Sequence, residues 1–198
     1  MDIKGLSKPE LVSILEIIES AGNSLSLEHF KKVLLRAKDM VEADFTICGL
    51  GRIEGSELIE PLAVLNGNYP GEWLDVYLSE SLYYLDPVIR FHTSFSSTHI
   101  WGDIARHRKE KSVGRVVDLA VDHGVKYGLS TSLFMPESSA ISIFAFSGTR
   151  DRFTGHHKKI ADILTPHLNG ALAAIGMEAP VPGRSGGVFV EAEAGKRA

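Results

Sequence analysis

Two pairs of short, apolar and β-branched runs limit this chain more than any other feature. Residues 45–50 and 58–65 form the first pair, and residues 129–135 and 140–146 the second. Pro136-Glu137-Ser138-Ser139 closes the second pair with a tight turn, so its strands run antiparallel. In the first pair Pro61 interrupts the second run, and Asn66-Gly67-Asn68 is a turn after it.

Stripes of helical period surround these runs. Ser7-Lys8-Pro9-Glu10 has the form of a capping box, and Leu11, Ile14, Leu15 and Ile18 follow at helical spacing to an end near Gly22. Leu27, Phe30, Leu34, Ala37 and Val41 mark a second helix. Pro70 opens a short helix carrying Tyr69, Trp73 and Tyr77 on one face, and Asp86-Pro87 opens another, Asp as cap and Pro in the first turn. Residues 99–101 read as a short strand. Val113, Val116, Val117 and Ala120 form a stripe that ends at Gly124. The last helix runs from about Thr154 to Ile175, with Ile160, Ile163, Leu164, Leu168, Ala171 and Leu172 on one face and Pro166 as a candidate kink. This order predicts an α/β/α sandwich, a central antiparallel sheet of about five strands covered by helices.

The chain has 198 residues, enough for one domain, which we place over residues 1–176. Residues 177–198, rich in Pro and Gly, have no periodicity and are expected to be a disordered tail. No run approaches membrane-spanning length and the N-terminus lacks a signal peptide's apolar stretch, which predicts a cytoplasmic protein that avoids the membrane. The net charge of -4 argues against nucleic-acid binding, and the basic run over residues 106–115 reads as a solvated helix entrance. Cys48 is the single cysteine and sits in an apolar stretch as a small core residue.

The candidate binding residues come from chemistry first. Tyr69, Trp73 and Tyr77 recur every four residues, so a helix stacks three amphipathic aromatics on one face. An indole N–H only donates and an ionised Asp only accepts, so Trp73 and Asp86 suit a carbonyl and an amide N–H. The competing readings are plain core for the stripe and a helix cap for Asp86.

Asn68-Tyr69-Pro70-Gly71-Glu72-Trp73-Leu74-Asp75-Val76-Tyr77, then Tyr84-Leu85-Asp86-Pro87-Val88, Ile100-Trp101 and Asp122-His123-Gly124-Val125-Lys126-Tyr127-Gly128-Leu129 occur in that order. Over roughly residues 10–175 this set resembles the autoinducer-binding domain of LuxR-type quorum-sensing receptors. The resemblance implies an acyl-homoserine lactone ligand. Trp73 would donate to the lactone carbonyl, Asp86 accept from the amide N–H and Tyr69 donate to the acyl carbonyl. Tyr77 and Trp101 would close the pocket, with Ile89, Leu65 and Ala63 along the acyl tail. Ala145 stands where many members of that family carry Ser or Thr, which moves a polar contact to Ser142 or Ser130, or else removes it.

The family's receptors continue into a helix-turn-helix domain, whereas about 22 residues follow the last helix here, so the chain is not expected to bind DNA directly. It is either a truncated member or an incomplete copy of a longer receptor. Partners implied by the resemblance are a second copy or a full-length LuxR-type receptor, and a truncated member would inhibit the latter. An apolar stripe on the last helix, were it exposed, would serve such pairing.

Other chemistries find less support. His156, His157 and His167 lack a metal-ligand pattern, and residues 49–55 imitate a dinucleotide loop without the helix it requires. Gly128-Leu129-Ser130-Thr131-Ser132 lacks the closing Gly of a nucleophile elbow. No cofactor, metal or catalytic residue is expected. The rival functions are a generic small-molecule sensor and a lactone-hydrolysing enzyme.

Overall fold

The computed structural model describes residues 3–103, 105–106, 113–175 and 189–190. In chain order they form α1 (Lys8–Gly22), α2 (Leu27–Met40), β1 (Phe45–Glu54), β2 (Glu57–Asn66), α3 (Gly71–Ser79), α4 (Pro87–Ser94), β3 (His99–Asp103), α5 (Gly114–Asp122), β4 (Tyr127–Met135), β5 (Ala140–Gly148), α6 (Gly155–Ala174) and β6 (Phe189–Val190). The sheet order is β3-β4-β5-β1-β2-β6. The first five strands pair antiparallel throughout, and the two-residue β6 runs parallel to β2. This is the expected sandwich of helices on an antiparallel sheet. Of the residues expected to be a disordered tail, all but Phe189 and Val190 lie outside the described residues, as do residues 107–112 of the basic run.

Local chemistry starts and stops these elements where the side chains allow. The Ser7 hydroxyl accepts from the Glu10 N–H while the Glu10 carboxylate accepts from the Ser7 N–H, so two N–H groups that α1 leaves unpaired are satisfied reciprocally. Thr154 caps α6 in the same manner with His157. Gly124 follows α5 in the left-handed conformation, at φ +80°, where a side chain would be strained.

Side-chain alternation along the strands divides the interior in two. One core lies between the sheet and α1, α2 and α6, and contains Phe30, Leu34, Cys48, Leu65, Leu129, Phe144, Phe146, Ile160, Leu164 and Leu168. The other lies under α3, α4 and α5, where Tyr69, Trp73, Tyr77, Val88, Trp101 and Val116 meet Ile47 and Val64 of the sheet.

Three expectations are corrected, and the choice between a buried and an exposed stripe on α6 is decided. Leu15 is 64% exposed, because Ile14, Ile17 and Ala21, at i, i+3 and i+7, form the face of α1 that is buried. Tyr69 stands outside α3: its N–H and C=O are both held by the Asn66 side chain, and Pro70 disfavours helical geometry in the residue before it. Leu65 lies in the first core, on the face of β2 opposite the one Val64 presents. The stripe on α6 is buried against α1, α2 and β4, so it offers no pairing surface.

Candidate functional site

A cavity of about 110 Å³ lies between the second core and the sheet. Protein interiors rarely leave voids larger than a water molecule, and an empty void of this size costs on the order of 3 kcal/mol. Small residues create it. Along β1 the cavity-facing positions are Ile47, Gly49 and Gly51, and beside them on β5 are Ala145, Ile143 and Ile141. Four residues of strand separate Ile47 from Gly51, so the floor extends roughly 13 Å. The space is elongated along β1, with Leu58 and Pro61 of β2 at its far end.

Polar groups gather at the near end. Trp73 stacks on Tyr77 with ring centroids 4.5 Å apart, and Tyr69, which precedes the helix, packs against Trp73 at 4.9 Å with its ring tilted by 47°, so the three form a continuous aromatic wall. Tyr77 Oη donates to Asp86 Oδ2 at 2.7 Å, and the Val88 N–H donates to Asp86 Oδ1 at 2.8 Å. Asp86 therefore caps α4 and binds Tyr77 at once. A carboxylate has about four lone-pair directions, and these two bonds use one on each oxygen. Burial, and then the charge of Asp86, hold the Tyr77 hydroxyl well above its usual range, so it remains a donor at any physiological pH. Tyr69 Oη accepts from Ser147 Oγ at 2.7 Å, which leaves the phenolic proton to be given elsewhere. Burial likewise raises the Tyr69 hydroxyl.

Among the described residues, Trp73 Nε1, Trp101 Nε1 and Thr46 Oγ1 are buried without a hydrogen-bond partner. Both indoles line the cavity. A buried donor without an acceptor costs about 1–3 kcal/mol, so two such indole N–H groups lining one cavity mark it as built for an acceptor.

Tyr69, Trp73, Tyr77, Asp86, Ile89, Trp101, Ala63 and Ala145 all border the cavity. Leu65 does not. Cys48 touches it, and burial pushes its thiol up to about 12, so no thiolate is available. Neither hydroxyl proposed to replace the one missing at Ala145 reaches the cavity. Ser142 Oγ bonds Asn169 on α6 at 2.8 Å, and Ser130 Oγ lies 2.6 Å from His92 Nε2.

His92 was not recognisable in the sequence. It is 1% exposed, with Nδ1 2.9 Å from Ser132 Oγ, and bridges two serines that lie 38 and 40 residues away in the chain. Its one local signal is its place on the inward face of α4. Burial, assisted by the charge of His99, pushes its imidazole down to about 3. It is thus neutral at pH 7, and a base that weak, walled off from the cavity, does not activate the serine beside it. The unfolded chain titrates near 6.5 and so takes up a proton that the folded chain refuses between these values. Stability is complete above pH 6.5 and falls below it, by about 2 kcal/mol at pH 5 from this residue alone. Denaturant unfolding of wild type and His92→Gln at pH 7 and pH 5 tests this: the variant should lose less on acidification, and equal losses would show that His92 does not drive the change.

Among the described residues no helix is long and apolar enough to cross a membrane, and no cluster of His, Cys, Asp and Glu could hold a metal ion.

The sequence matches the family model for the autoinducer binding domain over residues 26–172, most of the chain. No curated protein matches the sequence. Among solved structures, the crystal structure of CepR2 from Burkholderia cenocepacia, an N-acylhomoserine lactone dependent LuxR family transcription factor, superposes with a TM-score of 0.66 at 16% identity, covering 85% of this chain and 96% of that one. SdiA in complex with octanoyl-rac-glycerol gives 0.68 at 17% identity, covering 90% and 70%. The solution structure of Escherichia coli SdiA1-171 gives 0.64 at 19% identity, covering 87% and 100%. At these identities the structures share the fold, and the family match supplies the rest. The chain therefore belongs to the autoinducer-binding domain family, ligand-binding sensors built as an α/β/α sandwich.

Proposed function

We propose that the cavity receives an acyl-homoserine lactone and that the chain reports its presence as the sensor of a transcription-regulating system. The head group would lie at the near end, with Trp73 donating to the lactone carbonyl, Asp86 accepting from the amide N–H and Tyr69 donating to the acyl carbonyl. The acyl chain would follow β1 over Gly49 and Gly51 toward Leu58, between Ile89 and Ala145. The observation that carries this reading is the buried, unpartnered Trp73 Nε1 on the wall of an elongated apolar cavity. The burial of Ser130 and His92 outside that cavity and the weakness of His92 as a base support binding over hydrolysis. Pairing with a second copy or a full-length receptor remains part of the proposal, through a surface other than the stripe of α6.

A thermal-shift panel of acyl-homoserine lactones of graded chain length, with octanoyl-glycerol beside them, tests the reading, since a ligand that binds only the folded state raises its melting temperature. Trp73→Phe keeps an aromatic ring and removes the donor, so it should weaken lactone binding roughly tenfold or more. No shift with any lactone would favour a sensor for a different ligand, and accumulation of ring-opened lactone would favour the hydrolase.

A further inference from the structure

From Leu58 at its far end back to Tyr83, which packs edge-on against Tyr77 at 6.3 Å, the cavity does not close on apolar side chains alone. Leu58, Tyr83 and Ile89 line it, and the same three residues line a second hollow that also carries Ser56, Glu57, Tyr84, Arg90 and Thr93. These three side chains form a sill between an apolar tunnel and a polar anteroom open to solvent. Two of the anteroom's hydroxyls are engaged: Tyr84 Oη donates to the Ile59 carbonyl at 3.0 Å, and Thr93 Oγ1 donates to the Arg90 carbonyl at 3.1 Å. The Arg90 guanidinium is exposed and makes no ion pair with a described residue, although Glu57 shares the hollow. Arg90 lies one turn of α4 beyond Asp86, and Ile89 beside it faces the tunnel.

We propose that this anteroom is a subsite for the distal end of the ligand, and that Arg90 selects acyl chains ending in an anionic oxygen group such as a carboxylate. The inference rests on the lactone reading of the main cavity, since it requires the head group at the Trp73 and Asp86 end and the chain along β1. A guanidinium presents five N–H donors in a planar fork that fits a carboxylate through two parallel bonds. A simple alkyl end gains nothing from it. Glu57 opposes the same charge across the hollow, so its removal strengthens what Arg90 does.

The test measures dissociation constants by calorimetry for N-octanoyl-homoserine lactone and for its analogue bearing a terminal carboxylate. Because Arg90 is exposed, Arg90→Gln should weaken the carboxylate ligand by about fivefold and leave the neutral ligand within about twofold. Glu57→Gln should tighten the carboxylate ligand alone, and both effects should shrink in high salt. Equal effects of Arg90→Gln on the two ligands, or no effect on either, overturn the subsite while leaving the lactone reading intact. Failure of the wild type to bind either lactone overturns both.

Discussion

Gly128→Ala should unseat Trp101 and destabilise the domain by about 1–3 kcal/mol or more, the largest cost we expect from a single methyl group in this chain. A Cβ built at Gly128 would stand 1.9 Å from Trp101 Cζ2 and 2.3 Å from Cε2, far inside van der Waals contact. The indole packs against Gly128 where β3 pairs Gly102 with Gly128, so neither strand can yield without breaking the ladder. The ring must therefore swing into the cavity it lines, and ligand binding should be lost with stability. Glycine in a strand is normally a weakness, and its replacement by Ala would otherwise stabilise by roughly 0.5–1 kcal/mol. The sign of the effect thus isolates the clash. In a Trp101→Ala background the same substitution should cost little, because the two residues touch and their effects cannot add. Denaturant unfolding of the four proteins of that cycle decides the matter. An equal penalty in both backgrounds would mean that Gly128 is required for its backbone and not for the indole.

What the sequence revealed and what it hid divide along sequence separation. The capping box of Ser7 and Glu10, the Asp86-Pro87 helix start, the turn at Pro136 and the αL glycine at position 124 are all settled by residues within a few positions, and each is found as expected. The strands were underestimated where alternation fails. Register shifts between Leu50 and Gly51 and between Arg52 and Ile53 break the period, and the polar residues Arg52, Glu54, Glu57 and Glu60 disguise the exposed end of the first hairpin. Trp73 and Tyr77 could be read as one face of a helix because spacing by four is a local geometry, whereas Tyr69 joins them from outside α3 through its bonds to Asn66. Which wall of the cavity the three form could not be read, since that depends on Ser147 reaching Tyr69 across 78 residues. His92 with Ser130 and Ser132 is of the same kind, a polar cluster assembled entirely by tertiary packing. Leu65 failed for a simpler reason: hydrophobicity does not say which of two cores a strand residue faces when both sides of the sheet are covered.

Asp86 should separate into its structural and its recognition roles under two substitutions. Asp86→Ala removes the acceptor of the Val88 N–H, which costs about 1 kcal/mol as a lost cap, and strands the Tyr77 hydroxyl, which costs a further 1–3 kcal/mol because the phenol is buried. Adding Tyr77→Phe should return part of that loss, since no orphaned hydroxyl then remains. Asp86→Asn is the milder change for the fold. Its carbonyl oxygen can still cap α4, and its amide can turn an N–H toward the Tyr77 oxygen, so stability should fall by about 1 kcal/mol or less. For a ligand amide N–H the same change sets a donor against a donor, and lactone binding should weaken roughly tenfold or more. A stability loss confined to Asp86→Ala together with an affinity loss in Asp86→Asn would show that one carboxylate carries both tasks. Wild-type affinity in Asp86→Asn would reduce Asp86 to a helix cap and leave recognition of the head group to the buried, unpartnered indole N–H groups that line the cavity, those of Trp73 and Trp101.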